Sequence, residues 1–334
     1  MTKFTIEPAP IAGYTDQAFR QVLRKCGFAT TWTEMISVTA LHHNNEKTKR
    51  MLTESDKANT VVQLFGKNPE HYAKVIKSGI LDGFKEININ MGCPARKITS
   101  NGDGCALMKN VDLAREIIEA CASTGRKISV KFRLGFYERE MTAVEFAKMC
   151  EEAGASRVIV HGRYGTQGYT GVADWNAIAK VVSAVKIPVI ANGDIRNMED
   201  AKKCIEVTGA SGVMVARALL GRPWFFDVIQ SDSEGSQMDS VLGMHPTSLC
   251  VPSSESRWDP SLPLWMTSHH LYIKKIIKYH IECARDCHAL TGLGGAAELR
   301  KHLLLYANHL PNKKELKECF RTVSSFDEAL QIIN

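Results

Sequence analysis

The stretch Pro188-Val189-Ile190-Ala191-Asn192-Gly193-Asp194 is followed by an amphipathic segment over 198–208, a closing Gly209, and then Gly212-Val213-Met214-Val215-Ala216-Arg217. A short β-branched run, a helix ended by glycine and a second such run read as one β-α-β unit, whose strands are parallel. The same alternation runs upstream. Apolar runs stand at 9–12, 34–38, 60–66, 86–90, 128–133 and 157–161, and helical spacing fills 69–80, 110–124, 141–154 and 175–185. Asn110 supplies a helix start and Gly154 a helix end. Eight strand–helix units in about 230 residues match the (β/α)8 barrel, typically about 250 residues long. A doubly wound sheet would carry G-x-G-x-x-G after its first strand, and no such motif follows 9–12. The expected fold is an α/β TIM barrel over 1–230 with a small all-α helical domain behind it.

The chain has 334 residues, 44% of them hydrophobic and 23% charged. That composition buries enough apolar surface to exclude dominant disorder. No window reaches the 18 or so apolar residues of a membrane span, and the N-terminus lacks a signal-peptide core. Ten scattered cysteines suit free thiols in a reducing compartment, so a cytoplasmic protein is expected. A monomer is expected as well. The net charge of +6 is unevenly spread. Residues 231–268 carry ten serines, four prolines and a net of −4, and read as an acidic linker or insertion. Residues 269–334 carry ten Lys/Arg against seven Asp/Glu. A basic tail is compatible with a polyanionic partner.

Barrel chemistry sits at the C-terminal strand ends. Here those ends are polar: Gln63, Asn88, Asn90, Lys131, Arg133, His161, Arg163, Asn192, Asp194 and Arg217. One or two could be satisfied core polars. Six strands converging in this way indicate a site.

The ordered motifs resemble those of the tRNA-dihydrouridine synthases. They are Ala9-Pro10-Ile11-Ala12-Gly13-Tyr14-Thr15-Asp16, Glu34-Met35-Ile36-Ser37, Val62-Gln63-Leu64-Phe65-Gly66 and Ile89-Asn90-Met91-Gly92-Cys93-Pro94, followed by Val130-Lys131-Phe132-Arg133-Leu134-Gly135, Val160-His161-Gly162-Arg163, Ile190-Ala191-Asn192-Gly193-Asp194-Ile195 and Val213-Met214-Val215-Ala216-Arg217. They cover about residues 8–226, and a shorter match at Leu299-Arg300-Lys301-His302 with Tyr306 resembles the family's helical domain. The resemblance implies FMN-dependent, NADPH-driven reduction of the uracil C5–C6 double bond in tRNA. It implies FMN contacts from Pro10, Ile11, Ala12, Gln63, Lys131, His161, Asn192, Gly193, Asp194, Ala216 and Arg217. It places Asn90, Arg133, Arg163, Arg300 and Lys301 at the tRNA, and makes Cys93 the general acid that protonates C5 after hydride reaches C6.

The residue chemistry agrees. A fixed lysine such as Lys131 stabilises the negative charge that a reduced flavin gathers at N1 and O2, unless it is merely a solvated strand end. Gln63 offers donor and acceptor to a pyrimidine edge, with a satisfied core amide as the alternative. Asn192-Gly193 and Ala216-Arg217 end strands seven and eight, where barrels hold phosphate. Cys93 stands in a glycine-rich strand exit with Gly92, Gly102 and Gly104. A buried inert thiol is the commoner fate of free cysteine, and Cys105 reads as such a packed side chain. Lys274, Lys275 and Lys278 share a helix and suit phosphate contacts or a solvated face. His280, Cys283, Cys287 and His288 lack the two-pair spacing of zinc sites, so no metal is expected. The competing functions are an FMN barrel acting on a free pyrimidine or small enone, and a catalytically silent RNA-binding homologue.

Overall fold

The computed structural model describes residues 4–225 and 264–334. Eight parallel strands form one sheet: β1 (Thr5–Pro8), β2 (Thr31–Ser37), β3 (Thr60–Phe65), β4 (Glu86–Met91), β5 (Ile128–Arg133), β6 (Arg157–His161), β7 (Val189–Asn192) and β8 (Gly212–Val215). Helices α1 (Gln17–Lys25), α2 (Val38–His42), α3 (Glu46–Arg50), α4 (Pro69–Lys77), α5 (Arg96–Thr99), α6 (Val111–Ala122), α7 (Ala143–Glu152), α8 (Trp175–Ala184) and α9 (Met198–Thr208) lie between them. The strand order β1-β8-β7-β6-β5-β4-β3-β2 brings the last strand beside the first, as a (β/α)8 barrel requires. No ladder joins β1 to β2 among the described residues. Those strands are in contact, and Trp32 Nε1 donates across the seam to Glu7 Oε2 at 2.9 Å.

Seven of the eight expected strands fall where the apolar runs stand, and the first is displaced. The ladder of β1 occupies 5–8 and ends as Ala9 N–H donates to Val215 O at 2.7 Å. Pro10 has no N–H with which to continue it. The run at 9–12 is therefore the strand's exit. Side chains from six strands fill the interior: Ala9 just past β1, Trp32, Val61, Ile159, Ile190 and Met214, with Ile11 and Ala216 packed against them. Several helices begin on side-chain caps. Asn68 accepts from Glu70 N and His71 N, with Pro69 at the first helical position, and Asn110 accepts from Leu113 N. Gly209 ends α9 in the left-handed conformation.

Contacts divide the chain differently from the expected 1–230, 231–268 and 269–334. One compact unit is Met1–Arg20 with Phe28–Ala218; the other is Gln21–Gly27 with Leu219–Asn334. The second unit is helical: α10 (Leu264–Thr291), α11 (Ala296–Tyr306), α12 (Lys313–Thr322) and α13 (Phe326–Ile333). Helix α10 begins inside the stretch read as a linker, and residues 226–263 lie outside the described residues. The helical core holds Ile273, Ile277, Ile281, Leu303, Phe320 and Ile333. His302 and Tyr306, part of the shorter motif match, are buried in it. Their i, i+4 spacing puts them on one helix face, the one that also carries Leu299 and Leu303. His280 Nδ1 lies 3.0 Å from the Tyr306 hydroxyl, and Trp224 stacks on the Tyr306 ring at 6.2 Å. No helix among the described residues is long and apolar enough to cross a membrane.

Candidate active site

Parallel register sets the polar strand ends side by side. Gln63 is opposite Asn88, Asn90 opposite Lys131, Arg133 opposite His161, and His161 opposite Asn192. Residues opposite one another share a face, and so do residues two apart on one strand. Glu86, Asn88 and Asn90 thus line up along β4, and Lys131 and Arg133 along β5.

A chain of hydrogen bonds climbs this face with one polarity. The Ser129 hydroxyl donates to Glu86 Oε1, and Asn88 Nδ2 donates to Ser129 Oγ at 2.8 Å. Gln63 Nε2 donates to Asn88 Oδ1 at 2.8 Å, and Asn90 Nδ2 donates to Gln63 Oε1 at 2.9 Å. Asn90 Oδ1 then accepts from Gly92 N at 3.1 Å and Cys93 N at 2.9 Å. A carboxylate that only accepts fixes one end and backbone N–H groups that only donate fix the other, so every amide between has one orientation. Gln63 keeps one N–H and one lone pair for a ligand. Glu86 and Ser129 were not among the expected site residues. The i, i+2 spacing of Glu86, Asn88 and Asn90 was the signal that could have found Glu86.

Cys93 is half-buried at the top of this chain. Its carbonyl accepts from Cys105 N at 3.0 Å. Gly104 has φ +61, and a Cβ there would stand 2.7 Å from Cys93 O, so the loop closes only on glycine. Cys105 is fully buried, and burial pushes its thiol up to about 11. It therefore keeps its proton at neutral pH.

Lys131 Nζ donates to Asn192 Oδ1 at 3.0 Å, and Asn192 Nδ2 donates to Met214 O at 2.8 Å. Burial, with the neighbouring Arg133 charge, lowers the Lys131 ammonium to about 7. Burial and the charges of Lys131, Arg133, Arg163 and Arg217 also hold His161 well below the ordinary range, so its ring is neutral. Arg163 Nη1 stands 3.3 Å from His161 Nε2. Since arginine only donates, Nε2 accepts and the ring proton sits on Nδ1.

Arg133 and Arg163 turn inward. Both are 2% exposed. Arg133 donates to the carbonyls of Gly92, Tyr164 and Gly168 at 2.7–2.9 Å. Arg163 donates to the carbonyls of Thr170 and Gly171 and to both oxygens of Asp194, the latter at 2.7 Å. A guanidinium committed to loop carbonyls holds the loops after β4 and β6. Asp194 adopts φ +55 and also accepts from Ala173 N and Arg217. Burial alone would raise its carboxyl, but the Arg163 and Ala173 hydrogen bonds outweigh burial and hold it below the usual value. Arg217 remains exposed, with its guanidinium 5.8 Å from the Tyr169 ring centroid. Gly193 has φ +125, and a Cβ on it would meet Ala173 Cβ at 2.6 Å and His161 Cδ2 at 3.0 Å.

The exits of β1 and β8 complete the ring. Ile11 and Ala216 pack on the same apolar cluster, Pro10 is half-buried and Ala12 exposed. Gln63, Asn90 and Cys93 form one group, and Lys131, His161, Asn192, Gly193, Asp194 and Arg217 the other. Arg300 and Lys301 lie on the helical unit, where Arg300 Nε donates to Val323 O. His280, Cys283, Cys287 and His288 go separate ways. Cys287 Sγ accepts from Gln21 Nε2 at 3.5 Å, and His288 Nδ1 lies 3.2 Å from Leu293 O.

The family model for dihydrouridine synthase (Dus) matches residues 7–334. The chain is 32% identical to the "Probable tRNA-dihydrouridine synthase 1" of Synechocystis sp. over 98% of its own length and 84% of the relative's. It is 37% identical to tRNA-dihydrouridine synthase B of Pseudomonas syringae pv. tomato over 93% of its length and 85% of the relative's. A "Probable tRNA-dihydrouridine synthase" of Rickettsia bellii is 35% identical over 92% and 87%.

Proposed function

The chain belongs to the dihydrouridine synthase family, and on that premise we propose that it reduces the C5–C6 double bond of uridines in tRNA, with FMN as the bound flavin and NADPH as reductant. One observation carries the chemistry. A chain of fixed amides ends on the backbone of Cys93, and one strand away is a half-buried lysine whose ammonium donates to a neutral amide, Asn192.

That donor set fits a flavin phosphate. Lys131, Arg133, Arg163 and Arg217 lie around His161, and only Arg163 and Arg217 of them pair with the carboxylate of Asp194, so the pocket favours an anion. Gly193 leaves room where any side chain would clash, as close approach to a phosphate or ring demands. A flavin held there would supply the hydride for C6 of uracil. Lys131 would hold the flavin's pyrimidine edge, where a negative charge would raise its pKa. Gln63 presents its remaining N–H and lone pair to the same edge. Asn192 orients Lys131, and Asp194 aims Arg217 at the phosphate.

Cys93 delivers the proton. Its Sγ–H gives the proton to C5 as C6 takes the hydride, and Asn90 fixes the backbone from which the thiol projects. The target base lies within folded tRNA and is flipped out to reach the strand ends. Lys274, Lys275, Lys278, Arg300 and Lys301 supply phosphate-backbone contacts, a salt-sensitive kind of binding.

The test is to incubate the purified protein with NADPH and either unmodified tRNA or free uridine, and to assay dihydrouridine by mass spectrometry. Dihydrouridine in tRNA and none in free uridine is expected. Turnover of the free base alone would replace this reading with the small-molecule one, and a colourless protein that turns over neither would point to a silent homologue.

A further inference from the structure

Three histidines outside the active site meet where two barrel loops touch. His42 closes α2, His43 is its C-cap residue, and His71 lies in the first turn of α4. One ligand nitrogen from each lies within 4.8 Å of the other two. The His42 and His71 rings stack at 4.1 Å with 15° between planes, and His43 stands edge-on to them at 5.0 and 5.6 Å.

The backbone enforces this meeting. Gly66, just after β3, has φ +154, and a Cβ on it would stand 2.5 Å from Val38 Cγ1 at the start of α2. Only glycine lets the loop leaving β3 pass so close to α2. Thr39, also on α2, places its hydroxyl 3.2 Å from His71 Nδ1. That contact engages Nδ1 and leaves Nε2 for a ligand, the way outer-shell groups orient metal-binding histidines.

We propose that His42, His43 and His71 form a binding site for a borderline divalent transition-metal ion, with Zn2+ as the representative and a fourth position open to water. Imidazole nitrogens suit such ions, whereas Mg2+ and Ca2+ take oxygen ligands. Tetrahedral zinc with Zn–N of about 2.0–2.1 Å sets its ligand nitrogens about 3.3 Å apart, so side-chain rotation suffices to close the present spacing. His43 is exposed and the other two are half-buried, so the rings are able to turn. A bound ion joins the loops that follow β2 and β3, on the barrel end that carries Gln63. The thiols take no part.

The full-length protein, stripped with EDTA and dialysed against Zn2+, tests this by metal content per chain and by competition with a chromophoric chelator. One Zn2+ per chain is expected, with affinity unchanged after alkylation of the accessible thiols. Thr39→Val should weaken binding about 10–100-fold, the usual cost of losing an outer-shell partner. His71→Ala and His43→Ala should each weaken it further. His43→Ala alters an exposed side chain, so it keeps the test decisive if His71→Ala fails to fold. Wild-type binding no tighter than about 1 mM, binding abolished by alkylation, or a His43→Ala variant that binds like wild type would overturn the proposal.

Discussion

The two ends of the barrel interior treat charge in opposite ways. At the N-terminal end, Arg157 donates to both Glu7 and Glu86, and Lys127 also approaches Glu86 at 3.4 Å. Two cations meet two carboxylates there, and the Arg157 guanidinium lies 5.5 Å from the Trp32 ring centroid. At the C-terminal end Lys131, Arg133, Arg163 and Arg217 lie around the neutral His161, and only Arg163 and Arg217 of these four pair with the carboxylate of Asp194. The same strands build both layers. The compensated layer contributes to the fold, whereas the uncompensated one leaves Lys131 destabilised until an anion arrives. The difference teaches where function sits: charge left in surplus inside a barrel marks the ligand end.

Variants at either end test that contrast. Cys93→Ala should have the largest effect on turnover. Loss of a positioned general acid costs about 10²–10⁴-fold in rate. Flavin content and NADPH oxidation should stay near wild type, and single-turnover assays with unmodified tRNA measure the loss. Full dihydrouridine formation by this variant would remove the thiol from the mechanism.

Arg157→Met should act on the other end alone. It leaves Glu7 without a cation in the interior and Glu86 with only Lys127, and breaking a buried ion group costs about 3–5 kcal/mol. Thermal melting should fall clearly while turnover per folded molecule holds. An unchanged melting temperature would mean that the lower layer is not a stabilising one.

Lys131→Met should weaken flavin binding yet spare the flavin-free fold. The sign follows from linkage. Lys131 titrates near 7 in the folded protein and near 10.5 when unfolded, so between those values the unfolded chain binds more protons. Its contribution therefore destabilises the flavin-free protein fully below pH 7 and fades as pH rises toward 10.5. Subtracting the Lys131→Met stability profile from the wild-type profile should leave a rise across that window. A flat difference would show that the ammonium is not strained there.

Cys105→Ala should be the mildest change, with turnover preserved and a stability loss of about 1 kcal/mol, typical of a small buried truncation. Abolished turnover would move the acid role from Cys93 to Cys105.

What the sequence determined by itself was local or repetitive. The alternation of strand and helix, the caps at Asn110 and Gly209, and the polar residues at strand exits are all patterns within a few residues of one another. Seven strands were legible to within a few positions. Motif order was enough for the family resemblance. The tertiary structure alone decided what each polar side chain touches. Glu7 and Arg157 are 150 positions apart, and Ser129 is 43 from Glu86. No period links such pairs; strand register brings them together. Register also turned Arg133 toward loop carbonyls, helix packing carried His302 and Tyr306 into a helical core, and the close pass of Gly66 by Val38 placed His71 against His42 and His43. A sequence names the groups available at a strand end, but hydrogen-bond geometry in three dimensions selects which of them are satisfied inside the protein and which remain for a ligand.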